Sequence, residues 1–233
     1  MQLLTGTSGF SYKEWKGSFY PEKLAAREML SYYAGRLAAV EINNTFYRMP
    51  KAELLAGWRE QVPPGFRFAI KASQRITHRA RLVDCQDSVD YLWQVCGALG
   101  EQLGPLLFQL PPNLKKDAPR LEAFLGCLPD GCRAAFEFRH PSWFDGEVVA
   151  LLRAAGAALV AADIDPEQPP LVAETTDWGY LRLRREEYTP EELEAWAERL
   201  RTTAWKQAFV FFKHEDGASG PRLAQDFAAR FSG

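Results

Sequence analysis

The sequence predicts an α/β protein, a single-domain (β/α)8 barrel of the TIM type, and three observations carry that prediction. Eight short β-rich runs alternate with amphipathic stretches of helical period. The 233 residues suffice for one such barrel and contain no Gly/Ser linker or shift in composition that would divide them. The polar residues that fall inside the runs gather toward their C-terminal ends, where barrel proteins keep their chemistry.

Leu3 to Ser8 reads as the first strand, followed by a Gly9-Phe10 loop and a helix from about Glu22 to Ala34. Ala39 to Asn43 is the second, before a helix from about Ala52 to Gln61, and Phe66 to Lys71 is the third. The next helix takes Asp84 as its N-cap and presents Val89, Leu92, Trp93, Cys96 and Leu99 as an apolar stripe. Pro105 to Leu110 is the fourth strand, with Leu121, Phe124, Leu125 and Leu128 on its helix. Arg133 to Arg139 is the fifth, broken at His140-Pro141 because proline cannot donate to a ladder, and its helix runs from an Asp145 cap to Gly156. Ala158 to Asp163 is the sixth, followed by a proline-rich connection through Pro166, Pro169 and Pro170. Gly179 to Leu183 is the seventh, and Thr189-Pro190-Glu191-Glu192 has the form of a capping box. Gln207 to Lys213 is the eighth, closed by a helix bearing Leu223, Ala224, Phe227 and Phe231.

Strand parity then selects candidate site residues. If the larger apolar side chains, among them Val40, Ile42, Phe136, Phe138, Val160, Leu181 and Leu183, face the helices, the inward set is Glu41, Asn43, Lys71, Gln109, Glu137, Arg139, Asp163, Arg182 and Lys213. Earlier inward positions are small or apolar, such as Ala39, Ala69, Leu107, Ala135, Ala161 and Phe211. A packed lower barrel under a charged upper layer is the expected form of a site. The competing expectation is a self-satisfied network, Glu41 with Lys71, Glu137 with Arg139 and Asp163 with Arg182, that binds nothing.

Composition narrows the classes. A net charge of -2 lacks the strongly basic footprint of a duplex-binding protein. Met1-Gln2-Leu3-Leu4-Thr5 has neither a basic start nor a long apolar run, so the expectation is a cytoplasmic protein without a membrane span. Cys85, Cys96, Cys127 and Cys132 show no CxxC spacing and read as buried thiols.

Val40-Glu41-Ile42-Asn43-Asn44-Thr45-Phe46-Tyr47, Lys71-Ala72 with Ile76-Thr77-His78, Leu103 to Pro112, and Phe136-Glu137-Phe138-Arg139-His140-Pro141-Ser142-Trp143-Phe144 together resemble the YecE-like family, also called domain of unknown function 72. The resemblance covers nearly the whole chain. It implies a TIM-type barrel distantly similar to the xylose-isomerase and endonuclease-IV group, and it implies no particular reaction. Typical members follow the seventh strand with His-Gly and end the eighth in Asn-Asn-Asp. This chain instead has Arg184-Arg185 and Lys213-His214-Glu215-Asp216, which adds positive charge at both places.

Three chemistries compete for these residues. A mononuclear metal site would draw on His78, His140 and His214 with Glu137 and Asp163, although no short HxxxH spacing supports a divalent ion. Carbohydrate chemistry would use Glu137 with Glu41, and Tyr47 and Trp143 could stack on sugar rings or on bases. Binding or hydrolysis of a phosphate-bearing ligand, small or single-stranded nucleic acid, would place the anion on Arg139, Arg182 and Lys71, near Lys213, Asn43 and Gln109. Glu137 or Asp163 would then be the base and His140 the acid. The last chemistry is the expectation carried forward, beside that of a non-catalytic binding protein.

Overall fold

In the computed structural model, which describes residues 1–213 and 217–232, eight parallel strands close on themselves in sequence order. They are β1 (Gln2–Ser8), β2 (Ala39–Ile42), β3 (Arg67–Lys71), β4 (Leu103–Gln109), β5 (Ala134–Glu137), β6 (Ala158–Asp163), β7 (Trp178–Leu183) and β8 (Gln207–Phe212). Among the described residues seven α-helices surround them: α1 (Met29–Ala34), α2 (Ala52–Arg59), α3 (Gln86–Cys96), α4 (Ala118–Leu125), α5 (Gly146–Ala154), α6 (Pro190–Arg201) and α7 (Ser219–Ser232). The connection from β6 to β7 carries no helix, because Pro166, Pro169 and Pro170 remove donors and hold their predecessors extended. No helix among the described residues is long and apolar enough to cross a membrane.

Local signals account for several element ends. Asp145 accepts from Val148 N, Thr189 and Glu192 form the reciprocal box, and Gly156 takes a left-handed φ of 65° after α5. Two expectations fail. Asp84 does not cap α3: it stands at φ 49° outside the helix, and Cys85 occupies the cap position. The first helix begins only at Met29, preceded by a 3-10 turn at Ala26–Glu28, because the preceding chain folds around the buried Trp15 and Tyr20 instead. The four cysteines are free thiols, Cys85 and Cys96 buried, Cys127 and Cys132 half-buried.

Two apolar layers hold the barrel. The outer one lies between strands and helices; the inner one fills the lumen with Leu4, Ala39, Ala69, Leu107, Ala135, Ala158, Val160, Trp178, Tyr180, Phe209 and Phe211. Its large rings come from β7 and β8 and face alanines of β2, β3, β5 and β6, so that large and small side chains complement one another across the lumen. On the other side of β7, Gly179 leaves room for the Trp205 ring, which a Cβ there would meet at 2.2 Å.

Register also corrects the parity expected of β6. Val160 pairs with Tyr180 and Ala162 with Arg182, all on the lumen side, whereas Asp163 pairs with Leu183 on the helix side. The run Ala-Leu-Val-Ala-Ala-Asp is apolar on both faces, so it offers no alternation from which the inward side can be read.

Candidate functional site

The C-terminal end of the lumen is floored by three charged side chains that are almost wholly excluded from solvent. Glu41 and Glu137 are 0% exposed and Arg182 is 2% exposed. The Arg182 guanidinium bridges the carboxylates, donating from Nη2 to Glu41 Oε1 at 2.8 Å and from Nη1 to Glu137 Oε2 at 2.5 Å. Glu41 also accepts from Ser8 Oγ at 2.8 Å, Asn43 Nδ2 at 3.0 Å and Tyr180 OH at 2.7 Å. Glu137 accepts from Gln109 Nε2 at 2.9 Å and is ion-paired with Arg139. Register places these groups together: Ser8 pairs with Glu41 across β1 and β2, and Gln109 with Glu137 across β4 and β5.

This arrangement fixes the charge states. Burial by itself would raise the Glu41 carboxyl, but Arg182 and the hydrogen-bond donors outweigh it and hold it at about 2. Glu137 is likewise held below its ordinary value, burial being overcome by Arg182 and Arg139. Burial works against the Arg182 charge, yet the two carboxylates keep the guanidinium protonated. Of its donors, Nε has no partner.

Above this floor stands a half-buried rim that is mostly cationic. Lys71 Nζ donates to Gln109 Oε1 at 2.7 Å and lies 4.4 Å over the Phe46 ring. Arg184 Nη1 donates to Ser8 Oγ at 3.0 Å. Neither has a carboxylate within 4.0 Å among the described residues, whereas Lys213 Nζ lies 3.8 Å from Glu186. Burial pushes Lys71 down to about 8, with Arg182 adding to the effect, and it lowers Arg184 for the same two reasons. A cavity of about 390 Å³ opens on the Gln109 and Arg139 side of the mouth, lined also by His78, Leu110, Pro112 and Ile164, with Lys71 and Arg184 outside its lining.

A family model described as "Protein of unknown function DUF72" matches residues 4–233. The chain belongs to the DUF72 family. It is 36% identical over 116 residues to the UPF0759 protein YecE of Escherichia coli K12, a match that spans 49% of this chain and 43% of that protein. It is 24% identical over 260 residues to the UPF0759 protein YunF of Bacillus subtilis, covering 93% and 92% of the two. The DUF72 family protein TM1631 of Thermotoga maritima superposes over 100% of both chains with a TM-score of 0.88 at 28% identity. A DUF72 protein of Enterococcus faecalis, at 18% identity and a TM-score of 0.83, shares the fold over 99% of this chain and 96% of its own.

Within this DUF72 barrel, Glu41, Asn43, Lys71, Gln109, Glu137, Arg139 and Arg182 do converge, but in two tiers rather than one pocket. Asp163 is not among them. It faces α6, where Oδ2 accepts from Trp196 Nε1 at 3.1 Å and from Arg185 Nε at 3.2 Å. The ion pairing expected from sequence changes with it: Arg182 bridges the two glutamates and Asp163 takes Arg185. His140 caps the turn Pro141–Trp143, its Nδ1 accepting from Ser142 N at 3.2 Å and bonded to Ser142 Oγ at 2.8 Å. Trp143 is buried, stacked on Phe138 at 4.6 Å and donating to Leu114 O, so its ring is not available to a ligand. Tyr47 is 75% exposed, edge-on to Phe46 at the rim.

His78 lines the mouth, its Nδ1 bonded to Thr77 Oγ1 at 2.8 Å, and His214 lies outside the described residues. Among the described residues no three of His, Cys, Asp and Glu are grouped as metal ligands. Tyr180 went unnoticed in the sequence although its signal was present: it lies two residues before Arg182 on the same face of β7. Arg184, which the sequence adds as positive charge after β7, reaches back to the end of β1, where it donates to Ser8 Oγ.

Proposed function

We propose that this chain binds a small anionic, phosphate-bearing ligand at the C-terminal mouth of the barrel. One observation carries the reading. Four cations, Lys71, Arg139, Arg182 and Arg184, surround the two carboxylates Glu41 and Glu137, and the carboxylates are taken up by Arg182 and Arg139. Among the described residues Lys71 and Arg184 have neutral hydrogen-bond partners, Gln109 and Ser8. Two half-buried cations with no carboxylate in contact among the described residues make a site that gains free energy when an anion arrives, and strand ends hold them in place before it does.

Binding is the part of the expectation that this geometry favours. Glu41 and Glu137 are sealed beneath the rim and held ionised by the same guanidinium, which makes them poor proton carriers for hydrolysis. The same pairing removes the free carboxylates that a glycosidase needs.

The experiment is isothermal titration and thermal-shift measurement with inorganic phosphate, pyrophosphate, mononucleotides, sugar phosphates and short single-stranded oligonucleotides. Millimolar or tighter binding of a phosphate compound that weakens at least ten-fold in Arg184→Ala supports the reading. Absence of any phosphate response in the wild-type protein overturns it. Oligonucleotide binding with a steep salt dependence, in excess of mononucleotides, would assign the anion to nucleic acid.

A further inference from the structure

The rim lysine has neighbours unlike those of an ion-paired one. Lys71 closes β3 at the mouth, with Nζ fixed at 2.7 Å from the neutral Gln109 carbonyl and 4.4 Å above Phe46. No carboxylate lies within 4.0 Å of it among the described residues. Burial and Arg182 lower its basicity most and Arg184 adds a little, against Glu41 and Glu137, which act on it from beyond 4.0 Å in the opposite direction without restoring it. His78 packs edge-on against the same Phe46 ring at 4.8 Å, and burial together with Lys71 lowers its basicity, so it brings no negative charge either. A lysine in such a place holds a larger share of neutral amine than an exposed one.

We infer that Lys71 condenses with a carbonyl compound, and that the ligand of the mouth is a phosphate-bearing aldehyde or ketone whose anion rests on Arg184. The inference deepens the anion-binding reading and rests on it for the phosphate end. The neutral Nζ adds to the carbonyl carbon as the C=O π pair moves to oxygen, and a proton passes from nitrogen to that oxygen. The oxygen then leaves as water while the nitrogen lone pair closes the C=N bond. One proton is taken up, one water is released, and a protonated imine on Lys71 remains, with no oxidant or reductant required.

With Lys71 near 8, about a tenth of the amine is neutral at pH 7, roughly 300-fold more than for a lysine at its ordinary value of 10.5. Intact protein is to be treated with glycolaldehyde phosphate and sodium cyanoborohydride at pH 7.5, and the reduced adduct located by peptide mass spectrometry. Lys71 should react at least ten-fold faster than the exposed Lys206, more slowly with unphosphorylated glycolaldehyde, and not at all once inorganic phosphate saturates the site. Lys71→Arg should lose the adduct while the slow labelling of Lys206 is unchanged, which assigns the adduct to the Lys71 amine. Intact phosphate binding with Lys71 labelled no faster than Lys206 overturns the imine proposal alone. Selective labelling of Lys71 by both aldehydes, with no response to phosphate, keeps the nucleophile and overturns the anion reading and the phosphorylated substrate with it.

Discussion

Arg182 lies within β7 and Arg184 just beyond its end, and both reach into the same end of the barrel, yet their charges are handled in opposite ways. Arg182 is buried between two carboxylates, while Arg184 donates, among the described residues, to the Ser8 hydroxyl. Glu137 and Lys71 repeat the contrast around Gln109, whose amide donates to the first and whose carbonyl accepts from the second. Gln109 therefore joins a floor whose charges cancel once Arg139 is counted to two rim cations that touch no carboxylate among the described residues. The floor serves folding and pre-orders the rim; the rim is left to meet something from outside.

The largest break in this comparison is Arg182→Leu. It leaves Glu41 and Glu137 buried without their shared cation, and the expected loss is about 3–5 kcal/mol in urea unfolding. Adding Glu41→Gln and Glu137→Gln to Arg182→Leu should recover part of that loss, which would show the cost to be an unpaired charge rather than a missing side chain. A loss under about 1 kcal/mol in Arg182→Leu would mean that the floor is open to water.

Acid should separate the tiers next. Glu41 is held at about 2 in the folded protein against 4.5 ordinarily, so its contribution is fully present above pH 4.5 and disappears as pH falls toward 2. The stability lost across that window is roughly 3 kcal/mol, and Glu41→Gln should flatten the acid limb of the unfolding curve. Glu137, shifted in the same direction, gives a limb of the same sign.

How far this architecture was legible depends on alternation. The strands β2, β5 and β7 mix a large apolar face with a polar one, and there the sequence pointed Glu41, Glu137 and Arg182 inward as found. In β6 both faces are apolar, one against helices and one against the Tyr180 ring, so Asp163 was turned to the wrong side. The fold was clear from the count of strands and helices. The division into two tiers was not, because it rests on depth along the strand: Glu41 stands level with Ala69, below Lys71, and only the register across β2 and β3 reveals it. The stacking roles of aromatic residues were equally hidden, since a Trp after a strand end serves the outer core as readily as a pocket, and Trp143 serves the core.

Asp163 offers the sharper test of that division. Asp163→Ala strips a buried acceptor from Trp196 Nε1 and one of the two carboxylate partners from Arg185, which keeps Glu192, for an expected cost of about 1–3 kcal/mol. Phosphate binding at the mouth should be unchanged within error, because the carboxylate faces α6 rather than the lumen. A binding loss larger than three-fold with Tm unaltered would place Asp163 in the site after all.

The smallest expected effect concerns His140, which a sequence alone recommends as an acid beside Glu137. Its Nδ1 is occupied by Ser142, and the turn it caps carries Trp143 into the outer core against Phe138. His140→Ala should therefore cost about 0.5–1 kcal/mol, the worth of a modest N-cap, and His140→Asn, which keeps an acceptor in place, should recover most of it. Neither variant should alter phosphate affinity or the trapping rate at Lys71. If His140→Asn restores stability while trapping stays depressed, the imidazole takes part in proton transfer at the mouth, and the boundary between structure and site must be drawn one residue further along the loop after β5.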